Sequence, residues 1–307
     1  MTPIRTILCP VDLSPLSASE VGLAAELAQA LGARLVLHHN LPATGPGMAK
    51  GWEWKENHRG GDSRRRAEER MRELEEGLPE GLVARSVLTA GPIALGIERM
   101  ATEAAADLVV LGCHGCTTED HSSMTEVLLH SCTCPILTLH EGADRERVLP
   151  LARRSGRPLR VLVPLDLSAG GAAAVRYALD LAAGLAPEAG VRIHLLHVME
   201  GRRSPIRALF GRRSGRLPED QARARAEARL RELVPAEMAE RVVVRVESGR
   251  PEEAILRTAD EIEPDLIVMG EHARDPLGRL FTHDVAQEVL HRAPCPVWYV
   301  PPPRLAA

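Results

Sequence analysis

The chain carries four short sequence landmarks twice, in the same order. Residues 7–12 read Ile-Leu-Cys-Pro-Val-Asp, and residues 161–166 read Val-Leu-Val-Pro-Leu-Asp. The other pairs are 91–92 with 249–251, 107–112 with 265–270, and 134–135 with 295–296. Their nearly constant separation indicates tandem duplication of a domain-sized segment. We therefore expect domains at 1–143 and 157–303, joined by the polar linker 144–156.

Each copy alternates short apolar runs with longer amphipathic segments. In the first copy, Leu23, Leu27 and Leu31 recur at helical spacing between continuous apolar runs. This alternation predicts an α/β fold whose parallel sheet is covered on both faces. Ligands bind such sheets beyond the carboxyl ends of the strands, where the strand order reverses. A site is therefore expected where the first and fourth strands end, at Asp12 and Gly112, and at Asp166 and Gly270.

The charge and apolar patterns argue against several classes of protein. The formal net charge of -4 provides no overall field that attracts nucleic acid. The arginine-rich stretch 202–216 also lacks the interleaved tyrosine and tryptophan that single-strand binding uses. Neither a signal-like N-terminal segment nor an apolar run of membrane-spanning length is present, which predicts a cytoplasmic protein without a membrane partner. The cysteines are expected to stay reduced there.

The landmarks together resemble the universal stress protein family over nearly the whole chain. They are Pro-Val-Asp-x-Ser at 10–14, Gly-Pro at 91–92, Asp-Leu-Ile-Val-Met-Gly at 265–270 and Ala-Pro-Cys-Pro-Val at 293–297. The resemblance implies two tandem open-twisted five-stranded parallel-sheet sandwich domains of the adenine-nucleotide alpha-hydrolase-like type. It also implies an internal pseudo-dimer through the fifth strands, 136–139 and 297–300. The chain is then expected to be a monomeric pseudo-dimer or a homodimer.

In the first domain the resemblance implies an adenine-nucleotide site with a shortened phosphate loop. ATP-binding members carry Gly-x-x-Gly and, further on, Gly-Ser or Gly-Thr, since glycine amides and a hydroxyl at a helix start bind phosphate. Here Gly112 and Gly115 are followed after only six residues by Ser122 and Ser123, and Glu119 and Asp120 lie between them. The candidate binding residues are Pro10, Val11, Asp12, His39, Leu111, Gly112, His114, Gly115, Ser122, Ser123 and Met124.

The second domain departs further from the nucleotide motif. It reads Gly270-Glu-His-Ala273 and then His283-Asp284-Val285, so a carboxylate replaces the phosphate-binding hydroxyl. Two like charges at 4 Å repel by about 1–4 kcal/mol between bulk water and a surface-like dielectric. The alternative interpretation in both domains is purely structural, with glycines turning the chain and aspartates capping it. The candidate residues are Asp166, Val198, Met269, Gly270, Ala273, His283, Asp284 and Val285.

Four cysteines near three histidines would, taken alone, be typical of a zinc site. However, Cys113 and Cys116 follow the fourth strand, whereas Cys132 and Cys134 precede the fifth. A strand of about 15 Å separates the two pairs, which is too far for one metal. Smaller sites remain open, and a redox pair at Cys113 and Cys116 is favoured over a metal site. Cys134 and Cys295 are predicted to be packed as small apolar residues.

The sequence therefore favours a non-catalytic stress-response protein, a binding or regulatory module with a degenerate adenine-nucleotide site. The first domain is expected to retain ATP or AMP, with Mg, and to act on a regulatory protein partner that the sequence does not identify. One alternative is slow ATP hydrolysis at the same residues. Another is a thiol redox or metal sensor at Cys113 and Cys116.

Overall fold

The structure is a computed structural model of the chain, and it divides into two compact units between Arg154 and Ser155. Each unit contains one parallel β-sheet with helices. The residues that the structure describes are 4–15, 17–41, 62–79, 82, 84–113, 127–129, 131–140, 157–167, 175–181, 184, 190–199, 218–270 and 285–301.

The first domain is a five-stranded parallel sheet with the strand order β3-β2-β1-β4-β5. Helical residues are also described at 127–129 and 131. The elements are β1 (Thr6–Pro10), α1 (Ser17–Leu31), β2 (Arg34–Leu41), α2 (Asp62–Glu76), β3 (Ala84–Ala90), α3 (Ile93–Glu103), β4 (Leu108–Cys113) and β5 (Ile136–His140).

The second domain repeats the arrangement, with the order β8-β7-β6-β9-β10. Its elements are β6 (Leu159–Pro164), β7 (Val191–Met199), α4 (Glu219–Glu232), a 3-10 helix (Ala236–Arg241), β8 (Val242–Ser248), α5 (Pro251–Ile262), β9 (Leu266–Gly270), α6 (Val285–Arg292) and β10 (Val297–Val300). Residues 175–181 are helical as well. The tandem α/β fold is thus confirmed, whereas the exact domain boundaries and the pairing of the fifth strands stay predictions.

The central strands β1, β4, β6 and β9 are mostly apolar because helices pack on the sheets and bury these strands. Ile7, Leu35, Leu108 and Leu137 of the first domain are all completely buried. Amphipathic helices bury the strands with their apolar faces. Leu27, for example, lies on the buried face of α1. The alternation of apolar runs and helical stripes seen in the sequence therefore has a direct physical cause.

The central strands of each sheet separate towards their carboxyl ends. β1 pairs with β2 over five residues, from Thr6 to Pro10, but with β4 only at Ile7 and Leu8. β6 and β9 likewise pair over two residues, Val161 and Leu162. Because the strand order reverses between these strands, the divergence opens a crevice where parallel α/β sheets bind ligands.

An aspartate joins the opposite, amino ends of the same central strands. In the first domain Asp107 Oδ2 accepts hydrogen bonds from the backbone N–H groups of Arg5 at 2.8 Å and Thr6 at 3.0 Å. In the second, Asp265 Oδ2 accepts from the backbone N–H of Arg160 at 2.9 Å and from Arg157 Nη1 at 2.9 Å. Charged acceptors make strong hydrogen bonds, so this aspartate fixes which strands are neighbours.

The repeated glycine before α3 and α5 is explained by its backbone conformation. Gly91 has a φ of 133° and Gly249 a φ of 140°, values that residues with a side chain rarely adopt. Both glycines donate their N–H to the carbonyl of the last residue of the neighbouring strand in the sheet, Leu41 of β2 or Met199 of β7, at 3.0 Å. The landmark therefore marks the turn between a strand end and a helix start in each copy.

We predict that Asp265→Ala lowers the free energy of unfolding by about 1–3 kcal/mol. The carboxylate is 1% exposed, and its loss leaves the Arg160 N–H without its acceptor and breaks the ion pair with Arg157. Urea unfolding of the purified protein measures the change. Asp260→Ala, at an exposed position of α5, is the matched control and should change stability by less than about 0.5 kcal/mol. Equal effects of the two variants would contradict the assignment.

Candidate functional site

Asp12 lies at the carboxyl end of β1, on the turn that leads into α1. Its Oδ1 accepts hydrogen bonds from the Ser14 N–H and from Ser17 Oγ, both at 2.8 Å. Leu13 between them has a φ of 63°, in the left-handed region. The residue is exposed, as a ligand-binding carboxylate would need to be. Asp12 therefore has a structural role in the turn and a position suited to binding.

His39 ties β2 to the residue that precedes Asp12. Its Nδ1 donates to the Val11 carbonyl at 2.8 Å, and the Val11 N–H in turn donates to the His38 carbonyl at 2.8 Å. Burial lowers the pKa of His39, while the Val11 carbonyl and the Asp12 charge oppose that shift. The second domain has the same tie, since His197 Nδ1 donates to the Leu165 carbonyl at 3.1 Å. The tie thus belongs to the fold of both copies.

A chain of polar side chains runs beside this position in the first domain. His38 Nε2 lies 2.7 Å from Thr89 Oγ1, and Thr89 Oγ1 donates to Asn40 Oδ1 at 2.6 Å. Asn40 Nδ2 donates to the Gly91 carbonyl at 2.6 Å. Since the Thr89 hydroxyl proton is directed to Asn40, His38 must be the donor to Thr89, which fixes the neutral Nε2–H tautomer. Burial, with a smaller contribution from His39, lowers the pKa of His38 to about 4.

Gly96 of α3 is required by the same polar chain. A Cβ built on Gly96 would overlap Asn40 Oδ1 and lies close to the Asn40 Cγ as well. The equivalent pair in the second domain is Val198 and Ala254, and Ala254 is buried. The amide of Asn40 therefore occupies the space that a helix methyl group fills in the other copy.

Glu20 places a carboxylate against the glycine that ends β4. The side chain is 8% exposed, and a Cβ built on Gly112 would overlap Glu20 Oε1. Burial and the Glu20 charge both raise the pKa of the Cys9 thiol in β1. The carboxylate thus lies between the diverging ends of β1 and β4. This gives Gly112 a reason to be glycine that does not depend on a ligand, and the second copy has Ala174 at the Glu20 position.

The structure describes part of the predicted site of the first domain. Pro10 ends β1 and is followed by Val11 and Asp12, Leu111 is buried in β4, and Gly112 follows it. The remaining candidates, His114, Gly115, Ser122, Ser123 and Met124, lie outside the described residues. The phosphate-binding part of the site therefore stays a prediction.

In the second domain, Asp166 follows β6 and is half-buried, and Met269 is buried in β9 next to Gly270. Val198 is half-buried near the end of β7, and Val285 begins α6. Ala273, His283 and Asp284 lie outside the described residues. The structure therefore describes the strand-end residues of this candidate site but not its phosphate loop, and the site stays a prediction.

The predicted thiol pair is described only in part. Cys113 belongs to β4, and Cys116 lies outside the described residues. Cys295 is completely buried, as predicted for a packed apolar residue. Cys134 is half-buried and contacts Cys132, a contact that the sequence did not predict. Within the described part of the chain, no group of three or more His, Cys, Asp or Glu is arranged to hold a metal ion.

Sequence reasoning missed Glu20, Asn40 and Thr89, and it did not predict the partner of His38. A signal for three of them exists in the duplication, because Glu20, His38 and Asn40 are polar where the second copy has Ala174, Leu196 and Val198. Thr89 has no such signal, since its counterpart Glu247 is also polar and its role follows from the side-chain geometry across β2 and β3.

Known proteins share this architecture. The model of the universal stress protein family matches residues 3–140 and again 159–301. A universal stress protein from Thermus aquaticus is 48% identical over 52 residues, which is 17% of this chain and 38% of that protein's length. A universal stress protein structure from Archaeoglobus fulgidus is 20% identical, with a TM-score of 0.68, and the match covers 97% of this chain and 96% of that one.

A universal stress family protein from Arabidopsis thaliana, solved with AMP bound, matches 47% of this chain and 92% of its own, at 18% identity and a TM-score of 0.31. The chain thus holds two copies of one α/β domain, each with an aspartate directly after the first strand of its sheet. With both copies matched by the family model, the chain belongs to the universal stress protein family. Of the helices described, none has the length and apolar character needed to cross a membrane.

We predict that Gly112→Ala destabilises the first domain by about 1–3 kcal/mol, because the new methyl group overlaps the buried Glu20 carboxylate. In a Glu20→Ala background the same substitution should cost less than about 0.5 kcal/mol. The double-mutant cycle, measured by urea unfolding, isolates this contact. An unchanged cost in the Glu20→Ala background would show that the two groups do not meet.

We predict that His38 makes the protein less stable below about pH 6.5. The pKa of His38 is about 4 when folded and 6.5 when unfolded, so between these values the unfolded chain binds more protons. Stability is fully present above pH 6.5 and declines as the pH falls towards 4. From pH 7.5 to 4.5, the wild type should lose about 1–3 kcal/mol more than His38→Gln, as urea unfolding measures. Parallel losses would refute the assignment, because His39 and His194 titrate in both proteins.

Proposed function

We propose that this protein is a non-catalytic binding or regulatory module of the stress response whose first domain binds an adenine nucleotide. The observation that supports this most is the exposed Asp12 carboxylate on its hydrogen-bonded turn, beside the crevice between β1 and β4. A cytoplasmic location and a regulatory protein partner, with pairing of the two domains or of two chains, belong to the same proposal.

The adenosine end is bound by the described residues. The Asp12 carboxylate accepts hydrogen bonds from the nucleoside, and its Oδ1 is already held by Ser14 and Ser17, so the group is preorganised. Val11 is 6% exposed and provides an apolar wall at the end of β1. His39 holds the Val11 carbonyl in place from β2. Each contact thus comes from a strand end that the fold already fixes.

The charge near Gly112 favours a nucleotide with few phosphates. The Glu20 carboxylate lies against Gly112, and Glu119 and Asp120 lie within the phosphate-loop sequence. Each like charge near a phosphate costs about 1–4 kcal/mol at 4 Å, depending on the local dielectric. AMP carries less charge than ATP and is therefore the preferred ligand unless Mg neutralises the triphosphate. The phosphate contacts of His114, Gly115, Ser122, Ser123 and Met124 are part of this proposal.

The second domain is proposed to be structural or to bind a different ligand. Asp166 is half-buried there. Gly171 stands at the position of Ser17, whose hydroxyl donates to Asp12 in the first copy. Asp284 stands at the position of the phosphate-binding hydroxyl in the sequence. The site residues Val198, Met269, Gly270, Ala273, His283 and Val285 are therefore not expected to hold a nucleotide.

We predict one adenine nucleotide per chain, with AMP binding more tightly than ATP in the absence of Mg. Isothermal titration with AMP and ATP, with and without Mg, measures the affinities, and native mass spectrometry counts the ligands. Asp12→Asn keeps an Oδ1 acceptor for the turn but removes the charge, and should weaken binding about 10- to 100-fold. Asp166→Asn is the matched control and should leave binding unchanged.

Three outcomes would contradict the proposal. The absence of binding at millimolar AMP and ATP would mean that neither domain is a nucleotide site. Binding lost in Asp166→Asn but kept in Asp12→Asn would place the site in the other copy. A rate of phosphate release from ATP that Asp12→Asn and Ser123→Ala both abolish would instead support the slow ATPase.

A further inference from the structure

Two thiols face each other on the turn that leads into β5. Cys132 Sγ and Cys134 Sγ lie 3.6 Å apart. The Cys132 N–H donates to the Leu128 carbonyl at 2.8 Å, and the Val109 N–H donates to the Pro135 carbonyl at 2.9 Å, so the backbone on both sides of the pair is fixed. The pair lies at the amino ends of the strands. The candidate nucleotide site is at their carboxyl ends, roughly 15 Å away at about 3.3 Å per residue.

The surroundings of the pair assign the negative charge to Cys132. Hydrogen bonds from the Cys134 thiol and from the backbone N–H groups of Cys134 and Thr133 lower the pKa of Cys132 to about 7, against the effects of burial and of Glu98. The neighbouring Cys132, with burial and Asp107, raises the pKa of Cys134. When Cys132 is ionised, the Cys134 thiol donates the hydrogen bond to it, and the thiolate is the nucleophilic form of cysteine.

A small oxidant has a short path to these sulfurs. Thr133 between the two cysteines is exposed, and Cys134 is half-buried. Cys132 is 5% exposed, which limits attack by bulky reagents but leaves a molecule as small as a peroxide a short distance to travel. A disulfide needs the sulfurs to close from 3.6 Å to about 2.05 Å, a small movement at the tip of two side chains.

We propose that Cys132 and Cys134 form a peroxide-sensitive dithiol, in which Cys132 is the reacting thiolate and Cys134 closes the disulfide. The Cys132 thiolate attacks one peroxide oxygen, the O–O bond breaks, and a sulfenic acid and hydroxide form. The Cys134 sulfur then attacks the Cys132 sulfur, which expels water with the Cys134 proton. Each sulfur loses one electron, and the peroxide takes up both.

The second domain shows what the turn is like without the pair. It reads Ala293-Pro294-Cys295-Pro296, so alanine replaces Cys132 and a single cysteine remains. The Ala293 N–H donates to the Val289 carbonyl at 2.8 Å, and the Ile267 N–H donates to the Pro296 carbonyl at 3.0 Å, as in the first domain. Cys132 is therefore not needed for the turn, and Cys132→Ala is expected to fold normally.

The test is peroxide treatment of the full chain, removal of the peroxide, unfolding in urea with N-ethylmaleimide so that buried free thiols are also blocked, and digestion at glutamate. Trypsin would leave Cys113, Cys116, Cys132 and Cys134 on one peptide, because no Lys or Arg lies between Arg99 and Arg145. Cleavage after Glu119, Glu126 and Glu141 separates the two cysteine pairs. Peptide 127–141 should lose two hydrogens and both maleimide labels, while the buried Cys295 keeps its label. The rate should rise with pH, with a midpoint near 7.

Two variants separate the roles of the thiols. Cys134→Ser should stop the reaction at the Cys132 sulfenic acid, which dimedone traps as an adduct on peptide 127–141. Cys132→Ala should leave Cys134 fully labelled, like Cys295 of the second domain. Full labelling of both cysteines in the treated wild type would overturn the proposal. So would a dimedone adduct on Cys134 in Cys132→Ala, since it would remove Cys132 as the reacting thiolate.

Discussion

The pairing of the two central strands in each domain is the constraint on which the site depends. Asp107 and Asp265 join these strands at their amino ends through hydrogen bonds to backbone N–H groups. The ladder then stops after two residue pairs, and the strands diverge. The link at the amino ends and the early end of the ladder leave Asp12 and Gly112 at the carboxyl ends of β1 and β4, where α/β sheets bind ligands.

The two copies keep the same backbone and differ in the chemistry that they add to it. The histidine tie at the end of β2 and β7, the glycine before α3 and α5, and the turn into the fifth strand are present in both. The first copy has Glu20 against the end of β4 and Cys132 at the turn, where the sequence of the second copy has Ala174 and Ala293. The duplication therefore provides an internal reference, because shared features belong to the fold and unshared ones are candidates for function.

The sequence was sufficient for the fold and for the strand-end positions, because periodicity and repeated landmarks report backbone constraints directly. The Asp265 landmark is repeated because the backbone of β6 needs its acceptor, and Gly91 is repeated because its φ is positive. Contacts between side chains from distant segments could not be predicted in this way. Glu20 meets Gly112 only after α1 packs on the sheet, and the Cys132 and Cys134 thiols meet only in the conformation of one turn.

The contact between Asn40 and Gly96 has a consequence for how the two copies diverged. Asn40 excludes a methyl group at position 96, whereas the second copy combines Val198 with Ala254. A change from asparagine and glycine to valine and alanine can take place in one order only. If alanine came first it would collide with the amide, so the helix could gain its methyl group only after the strand had lost the asparagine. Once a helix methyl group fills the space of the amide, asparagine can return only after that methyl group is lost. The polar chain of the first copy is therefore easier to keep than to regain.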